Sequence, residues 1–253
     1  MNDREDPEKK QTNAAFTTTH WSVVLSAGEA ESSAGQRALA WLCETYWYPL
    51  YVYVRRQGYG PDDAQDLTQE FFCRLLEKNY LRSIDRQKGK FRSFLLAAME
   101  HFLAKHWRDS HRLKRGGGHL ILSLDERGAE ECYQMEPFAG LTAEHLYERR
   151  WALTLIEQAL RRLRQEFAAA DRSALLEALQ PFLSADRADL TYAQVGSRLD
   201  MSEGAVKVAV HRLRARYGEL VREEIGKTVA SPEEVDQELR YLIEVIGRGG
   251  REI

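Results

Sequence analysis

The sequence predicts an all-α protein with two helical domains. Almost every periodic segment carries its apolar residues at helical spacing, and alternating strand patterns are nearly absent. The stretch from 116 to 142 contains a glycine triplet and has no clean period, so it is predicted to link the two domains. A chain of 253 residues can bury a core in one large domain or in two small ones.

The predicted elements follow in chain order. Residues 1–15 are charged and lack large apolar groups, which predicts a disordered N-terminus. Residues 16–115 form the first helical domain, 116–142 the linker, 143–226 the second helical domain and 227–253 a C-terminal helical extension. Ser231 is the predicted N-cap of that last helix, and Pro232 takes its first position. The helix is expected to pack through one apolar face, formed by Val235, Leu239, Leu242, Ile243 and Ile246.

Charge is distributed unevenly along the chain. The formal net charge is −3, yet cations cluster at 105–115 and 207–216, which favours a nucleic-acid partner for those segments. The three cysteines have no paired spacing and predict a reducing cytoplasm rather than a zinc site or a disulfide framework. No apolar run has the length of a membrane span, and the polar start is not typical of a signal peptide.

An acidic amphipathic helix is predicted in DDAQDLTQEFFCRLL, which begins at Asp62. Its apolar positions lie at helical spacing and are expected to face inward: Ala64, Leu67, Phe71 and Leu75. Its polar positions are left facing outward: Asp63, Asp66, Gln69 and Glu70. A solvated acidic face is the simplest interpretation. Acid–base catalysis is disfavoured because no nucleophile or metal ligand lies at a matching spacing.

A long helix with a cationic stripe is predicted after Gly89. Its buried edge is expected to contain Phe91, Leu95, Ala98 and Phe102. A second stripe is aromatic at its start and cationic along its length: Phe94, His101, Lys105, Arg108 and Arg112. Aromatic groups beside cations suit the recognition of unpaired bases, although Phe94 could equally be a core residue. Three histidines spaced five apart do not share a helix face, so no metal site is predicted.

The segment LTYAQVGSRLDMSEGAVKVAVHRLRARY, which begins at Leu190, predicts two helices around a tight turn. Asp200 tolerates the left-handed backbone that the turn needs, and Ser202 can cap the second helix. An apolar stripe should face a core: Val206, Val210, Leu213 and Tyr217. The opposite face contains Lys207, Val208, His211, Arg212 and Arg214, which favours docking in a DNA groove over a solvated helical hairpin.

These segments, in this order, resemble the extracytoplasmic-function class of bacterial RNA polymerase sigma factors. The acidic helix is similar to region 2.2 of that family, the helix after Gly89 to regions 2.3 and 2.4, and the helix-turn-helix to region 4.2. The resemblance implies a region 2 helical bundle and a region 4 helix-turn-helix domain. It also implies two partners, core RNA polymerase through its β′ clamp and β flap, and promoter DNA.

The resemblance also assigns residues to each partner. Polymerase binding is implied for Asp63, Asp66, Gln69, Glu70 and Phe71. Recognition and opening of the minus-ten element are implied for Lys88, Lys90, Phe91, Arg92, Phe94, His101, Lys105, Arg108 and Arg112. Recognition of the minus-thirty-five element is implied for Ser202, Ala205, Lys207, Val208, His211 and Arg212. Because His101 stands where the family usually has Asn, promoter sequences cannot be transferred from relatives.

The function implied by the resemblance is a non-catalytic initiation factor without a cofactor or a bound metal. Thr68 replaces a typically aliphatic residue in the region 2.2 helix, which makes it a candidate phosphosite for a Ser/Thr kinase or, more simply, a packed side chain. An anti-sigma factor is a further candidate partner. The alternative function is a stand-alone helix-turn-helix regulator that binds its operator as a dimer through the C-terminal helix.

Overall fold

The computed structural model describes residues 33–77, 90–110, 126–135, 140–184, 190–229 and 231–248. These residues form helices and connecting turns, and the described part of the chain contains no strand, so the all-α prediction is confirmed. The α-helices in chain order are α1 Ser33–Arg56, α2 Pro61–Glu77, α3 Phe91–Ser110, α4 Glu126–Gln134, α5 Ala143–Ala169, α6 Ser173–Leu179, α7 Tyr192–Leu199, α8 Glu203–Gly226 and α9 Val235–Arg248. Short 3₁₀ turns cover Gln180–Leu183 and Pro232–Glu234.

The chain divides into two compact units whose boundaries differ from the predicted ones. Unit 1 combines Met1–Leu153 with Gly226–Ile253, and unit 2 is Thr154–Ile225. The boundary therefore falls inside α5 rather than at its start, and the C-terminal extension belongs to the first unit. The predicted disorder of residues 1–15 lies outside the described residues.

Unit 1 has an aromatic core built on α1, α2 and α3. Tyr46 of α1 meets Phe91 of α3 edge to face at 5.3 Å between ring centroids, and Phe71 of α2 meets Phe102 of α3 at 5.8 Å. The turn from α1 to α2 uses Gly58 at φ +96°, a left-handed conformation that favours glycine. Pro61 then begins α2, where its missing N–H costs nothing.

Helix α4 lies inside the predicted linker and packs on unit 1. Its Ala129 is buried, and its Glu130 carboxylate accepts hydrogen bonds from Arg55 Nε at 2.9 Å and Arg55 Nη2 at 2.8 Å. Tyr51 also donates its hydroxyl to Glu130. Sequence analysis did not predict this helix, because its attachment depends on a carboxylate that meets a guanidinium far away in the chain.

Helix α9 packs within unit 1 through most of the predicted face: Leu242 is buried, and Val235, Leu239 and Ile246 are half-buried. Its buried positions are Glu238, Leu242 and Val245, at i, i+4 and i+7, whereas Ile243 is 62% exposed. The prediction placed Ile243 inward because it counted only apolar side chains. Glu238 lies on the same inward face, and its carboxylate is bound by Lys90 and Arg92 at the start of α3.

The start of α9 matches the prediction in its backbone but not in its side-chain cap. Pro232 lies in the first turn after Ser231, which has the extended backbone of an N-cap residue. The Ser231 side chain makes no capping hydrogen bond.

Burial and the contact with Glu148 of α5 raise the pKa of Tyr241 to about 12, so this tyrosine stays neutral where it holds α9 to the unit.

Unit 2 contains the C-terminal part of α5, the short α6 and the α7–α8 pair. Arg162 on α5 donates to Glu224 at 2.8 Å and to Glu223 at 2.6 Å, both on α8. Arg216 of α8 donates to Glu166 of α5 at 2.7 Å. Because Glu224 is buried, its pairing with Arg162 satisfies a carboxylate that would otherwise be expensive to desolvate. The α7–α8 pair is thereby held on a rigid support.

The described residues contain neither a helix suited to a membrane nor a cluster suited to a metal ion. None of the described helices combines the length and apolarity needed to cross a membrane. Within the same residues, no three His, Cys, Asp or Glu side chains come together as a metal-binding group.

We expect Glu130→Gln to lower the free energy of unfolding by about 1–2 kcal/mol near neutral pH, since it weakens the charge-assisted contact with Arg55. The hydrogen bond from Arg55 lowers the pKa of Glu130 below its ordinary value of 4.5. A lowered folded-state pKa stabilises the protein above the unfolded-state pKa, and this contribution disappears as the pH falls through the folded-state value. The difference between wild type and variant should therefore shrink in acid. Urea titrations at several pH values measure it.

Glu131→Gln is the matched control, since Glu131 is an exposed neighbour on the same helix. Equal unfolding free energies for the two variants would contradict a stabilising role for Glu130.

Candidate functional site

The outer face of α2 is acidic. Asp62 and Asp63 lie in its first turn, where negative charge stabilises a helix N-terminus, and Asp66 is exposed one turn later. Glu70 is half-buried and is paired with Arg74 on the same helix. The exposed aspartates therefore present negative charge on a face supported by the aromatic core beneath it.

Thr68 lies on the inner side of α2. Its side chain is fully buried, and its hydroxyl donates to the Ala64 carbonyl oxygen at 2.7 Å. A β-branched residue on this helix flank packs well, and its hydroxyl is satisfied within the helix. A kinase could reach the hydroxyl only after α2 moved, so the geometry favours the packed interpretation over the phosphosite.

The stripe predicted on α3 borders a groove of about 450 Å³ between α2 and α3. Phe94 is half-buried, whereas His101, Lys105 and Arg108 are exposed. The groove is lined by Phe71, Arg74, Leu75, Phe94, Ala97, Ala98, His101, Phe102 and Lys105. Its floor is aromatic and its rim is cationic, an arrangement that suits a planar base attached to a phosphate.

The start of α3 is arranged differently. Phe91 and Arg92 are buried, and Lys90 is bound by the Glu238 carboxylate of α9. Arg92 Nη1 donates to Glu238 Oε1 at 2.8 Å, and its guanidinium lies 4.2 Å from the centroid of the Tyr241 ring. Tertiary packing therefore covers Phe91 and Arg92, whereas the Lys90 side chain is 29% exposed, and DNA binding by these three residues stays a prediction.

The turn between α7 and α8 is tightly constrained. Thr191 caps α7 through a capping box with Gln194, and Asp200 ends it in the left-handed conformation at φ 54° and ψ 45°. A Cβ at Gly196 would lie 2.5 Å from the Met201 carbonyl oxygen, so only glycine permits this close approach. Ser202 accepts a hydrogen bond from the Ala205 N–H at 3.2 Å and caps α8. The predicted roles of Asp200 and Ser202 in the turn are confirmed.

Helix α8 has a buried apolar stripe and an exposed basic face. Val206, Val210 and Leu213 are buried as predicted, and Tyr217 is half-buried with its hydroxyl directed to the Ile156 carbonyl oxygen at 3.3 Å. The exposed positions in the first part of the helix include Ala205, Lys207, Val208, His211 and Arg212.

Two basic residues of α8 differ in their surroundings. Arg214 donates twice to the Phe182 carbonyl oxygen, at 2.7 and 3.0 Å, and so has a structural contact within unit 2. Lys207 is paired with Glu203 at 2.6 Å, a hydrogen bond that raises the lysine pKa. Because this lysine pair is exposed, an anion of higher charge could compete for the ammonium group.

Comparison with known families identifies the family to which this chain belongs. Residues 60–223 match the family model described as ECF sigma factor, a span that includes α2, α3 and the α7–α8 pair. This chain belongs to the ECF sigma factor family. No curated protein and no solved structure matches it. The sigma factor is therefore a DNA-binding transcription initiation factor that binds RNA polymerase, as its family implies.

The structure divides the predicted site residues of this sigma factor into three groups. Exposed or half-exposed residues are Asp63, Asp66, Gln69, Glu70, Phe94, His101, Lys105, Arg108, Ser202, Ala205, Lys207, Val208, His211 and Arg212. Buried residues are Phe71, Phe91 and Arg92, and they are grouped with the half-buried Lys90 because its partner Glu238 is buried. Lys88 and Arg112 lie outside the described residues.

Sequence reasoning missed two side chains of α2 and α3. Arg74 lines the groove with its guanidinium 5.2 Å from the centroid of the Phe102 ring. Trp107 is 59% exposed near Lys105 and Arg108. Arg74 could have been found as a cation one turn after Glu70 on an acidic helix. Trp107 could have been found as a large aromatic residue outside the apolar stripe of its helix.

We expect Gly196→Ala to destabilise the sigma factor by about 1–3 kcal/mol, because the new methyl group would force the backbone at Met201 to shift. The shift would also displace the start of α8 and weaken DNA binding. Thermal unfolding and a promoter-binding assay measure the two effects.

Gly218→Ala is the control, since a Cβ at Gly218 meets nothing within 4 Å and the residue lies inside α8. It should raise stability by about 0.5–1 kcal/mol through helix propensity. A Gly196→Ala variant as stable as wild type would show that the turn tolerates the extra carbon.

Proposed function

We propose that this sigma factor docks on core polymerase through α2, recognises two promoter elements through α3 and the α7–α8 pair, and helps to melt DNA near the start site. One observation carries the proposal: the chain exposes an acidic face on α2 and cationic faces on α3 and α8, at the positions that the family motifs assign to these partners. The polymerase performs the chemistry.

Asp63 and Asp66 are the carboxylates that support docking through α2, since both are exposed on a helix whose other face is fixed in the core. A rigid acidic face suits a basic partner surface such as a helix of the β′ clamp. Gln69 and Glu70 lie at the edge of this face. Phe71 is not included in the proposed contact because its ring packs against Phe72 and Phe102.

The minus-ten interaction is assigned to the exposed part of α3. His101, Lys105 and Arg108 supply cations or hydrogen-bond donors, and Phe94 offers an aromatic surface in the neighbouring groove. Stacking on aromatic rings stabilises unpaired bases, while cations bind the connected phosphates. This combination supports a role in strand opening.

The minus-thirty-five interaction is assigned to the start of α8. Lys207, His211 and Arg212 are donors for base edges or phosphates, and Val208 is 51% exposed, as an apolar contact for a thymine methyl group requires. The constrained turn at Gly196 and Asp200 fixes the direction of this helix relative to α7.

The alternative, a stand-alone regulator that dimerises through α9, has less support. The most buried face of α9 packs within its own chain through Glu238, Leu242 and Val245. A gel-shift assay separates the two functions, because such a regulator would bind its operator without polymerase.

Run-off transcription with core polymerase and a promoter library tests the proposal directly. The full-length protein should direct initiation from a subset of templates that share two spaced elements. Template-independent transcription equal to that of core polymerase alone would reject the proposal.

We expect Asp63→Lys combined with Asp66→Lys to weaken binding to core polymerase by about 10- to 100-fold, equivalent to about 1.4–2.8 kcal/mol, because attraction is replaced by repulsion. Fluorescence anisotropy with labelled protein measures the affinity, and circular dichroism verifies the fold. Glu177→Lys, a charge reversal at an exposed position of α6, is the control for net charge. It changes the net charge by half as much as the double variant does. Affinity equal to that of wild type would place the dock elsewhere.

We expect Arg212→Ala to cost about 1–3 kcal/mol in promoter binding and to relax preference at one base pair, if Arg212 contacts a base edge. A phosphate contact would instead weaken all sequences alike and reduce the salt dependence. Selection from a promoter library distinguishes these results. Arg222→Ala, farther along α8, is the charge-matched control. Identical selections by the two variants would rule out the assignment of Arg212.

A further inference from the structure

We propose that α9 is an autoinhibitory helix whose Glu238 carboxylate occupies a cationic site for the promoter strand at the start of α3. The proposal rests on the proposed function, since it requires region 2 of this sigma factor to bind a DNA strand. It adds that the DNA strand binds Lys90 and Arg92, and that the Glu238 side chain blocks this binding. Docking of α9 and binding of the strand at this position exclude each other.

The contact has the chemistry of a phosphate site. Arg92 donates from Nη1 to Glu238 Oε1 at 2.8 Å, and Lys90 donates to the other carboxylate oxygen. The Tyr241 ring covers the same two cations, with centroid distances of 4.2 Å to the Arg92 guanidinium carbon and 5.2 Å to Lys90 Nζ. A guanidinium and an ammonium that bind one carboxylate can bind one phosphate in the same way.

The position of the contact connects it to DNA. Lys90 and Arg92 fall at positions for which the family resemblance implies minus-ten binding, and α3 continues from them to the exposed Lys105 and Arg108. With α9 in place, Arg92 is only 5% exposed and Glu238 only 1%. The first cations of α3 are therefore covered by a negative side chain of the same protein, while the later ones remain open.

Several features make α9 a releasable element. Arg92 Nε is buried and has no hydrogen-bond partner among the described residues, so the Arg92–Glu238 pair uses the guanidinium incompletely. The buried apolar side chains of α9 are Leu242 and Val245, whereas Val235, Leu239 and Ile246 are only half-buried and Ile243 is exposed. A 14-residue helix is marginal in water once its tertiary contacts are lost. An anion that binds Arg92 and Lys90 replaces the interaction that holds the helix.

Holoenzyme assembled from core polymerase and the full-length chain provides the test. The probe is a fluorescein-labelled DNA single strand of mixed sequence, because a phosphate contact does not depend on the bases. Glu238→Gln is compared with Glu244→Gln, which removes the same charge from an exposed position of α9. Hydrogen exchange of the α9 amides is measured in wild-type holoenzyme with and without the strand.

We expect Glu238→Gln to bind the strand about fivefold tighter or more than Glu244→Gln does. Its plot of log affinity against log salt concentration should be steeper by about 0.7 for each phosphate newly contacted. In wild-type holoenzyme, saturation with the strand should accelerate exchange of the α9 amides. Equal affinity and slope for the two variants, or unchanged exchange of α9 on saturation, would overturn the proposal.

Two further outcomes keep the result interpretable. Should Glu238→Gln fail to fold, the exchange measurement on wild type decides alone, and protection of α9 that persists in the strand complex overturns the proposal. Transcription from the promoter library separates this inference from the proposed function. A wild-type protein that initiates normally while α9 stays docked would reject the autoinhibitory contact and leave the proposed function intact.

Discussion

The buried carboxylate of Glu238 is the constraint on which the position of α9 in unit 1 depends. A desolvated carboxylate is costly unless cations and hydrogen bonds satisfy it, and Lys90 and Arg92 supply both. Because these cations lie at the start of α3, the requirement brings the last helix of the chain to a segment about 150 residues earlier. Arg92 is in turn enclosed by Trp151 of α5 and Tyr241 of α9, with ring centroids 4.9 and 4.2 Å from its guanidinium carbon. The Arg92–Glu238 ion pair thus joins α3 to α9, and the contact of Arg92 with the Trp151 ring adds α5.

The same physical rule operates in unit 2 with a different result. Glu224 is buried on α8, and Arg162 of α5 satisfies it. Arg216 extends this bridge by binding Glu166, so that charged contacts fasten the second half of α8 to α5. The first half of α8 keeps its cations exposed. The helix is therefore divided along its length into an anchored part and a presented part, a division suited to a DNA-reading helix that must not move when it binds.

Acidic and basic residues lie on separate helix faces, which explains how one chain can bind two partners of opposite charge. The net charge of −3 conceals an acidic face on α2 and basic faces on α3 and α8. Membership of the ECF sigma factor family gives the chain its two partners, core polymerase and promoter DNA.

The sequence by itself determined the features that depend on local spacing and local chemistry. The helical period of Val206, Val210 and Leu213, the left-handed turn at Asp200 and the Ser202 cap could be read directly, since each involves residues within about one helical turn of one another. The order of the motifs also identified the family, because that signal lies in the residues themselves.

Only the tertiary structure decided which charged residues are exposed to a partner and which are paired inside the protein. Lys90 and Arg92 resemble DNA-binding residues in sequence, yet Glu238 covers them, and Glu130 attaches a helix that the sequence left as linker. The burial of Glu238 on α9 could not be predicted for the same reason, because apolar periodicity does not include a carboxylate, and of the five residues predicted to face inward Ile243 is exposed. An ion pair between distant segments leaves no periodic pattern: its free energy depends on desolvation and geometry, which exist only after the chain has folded.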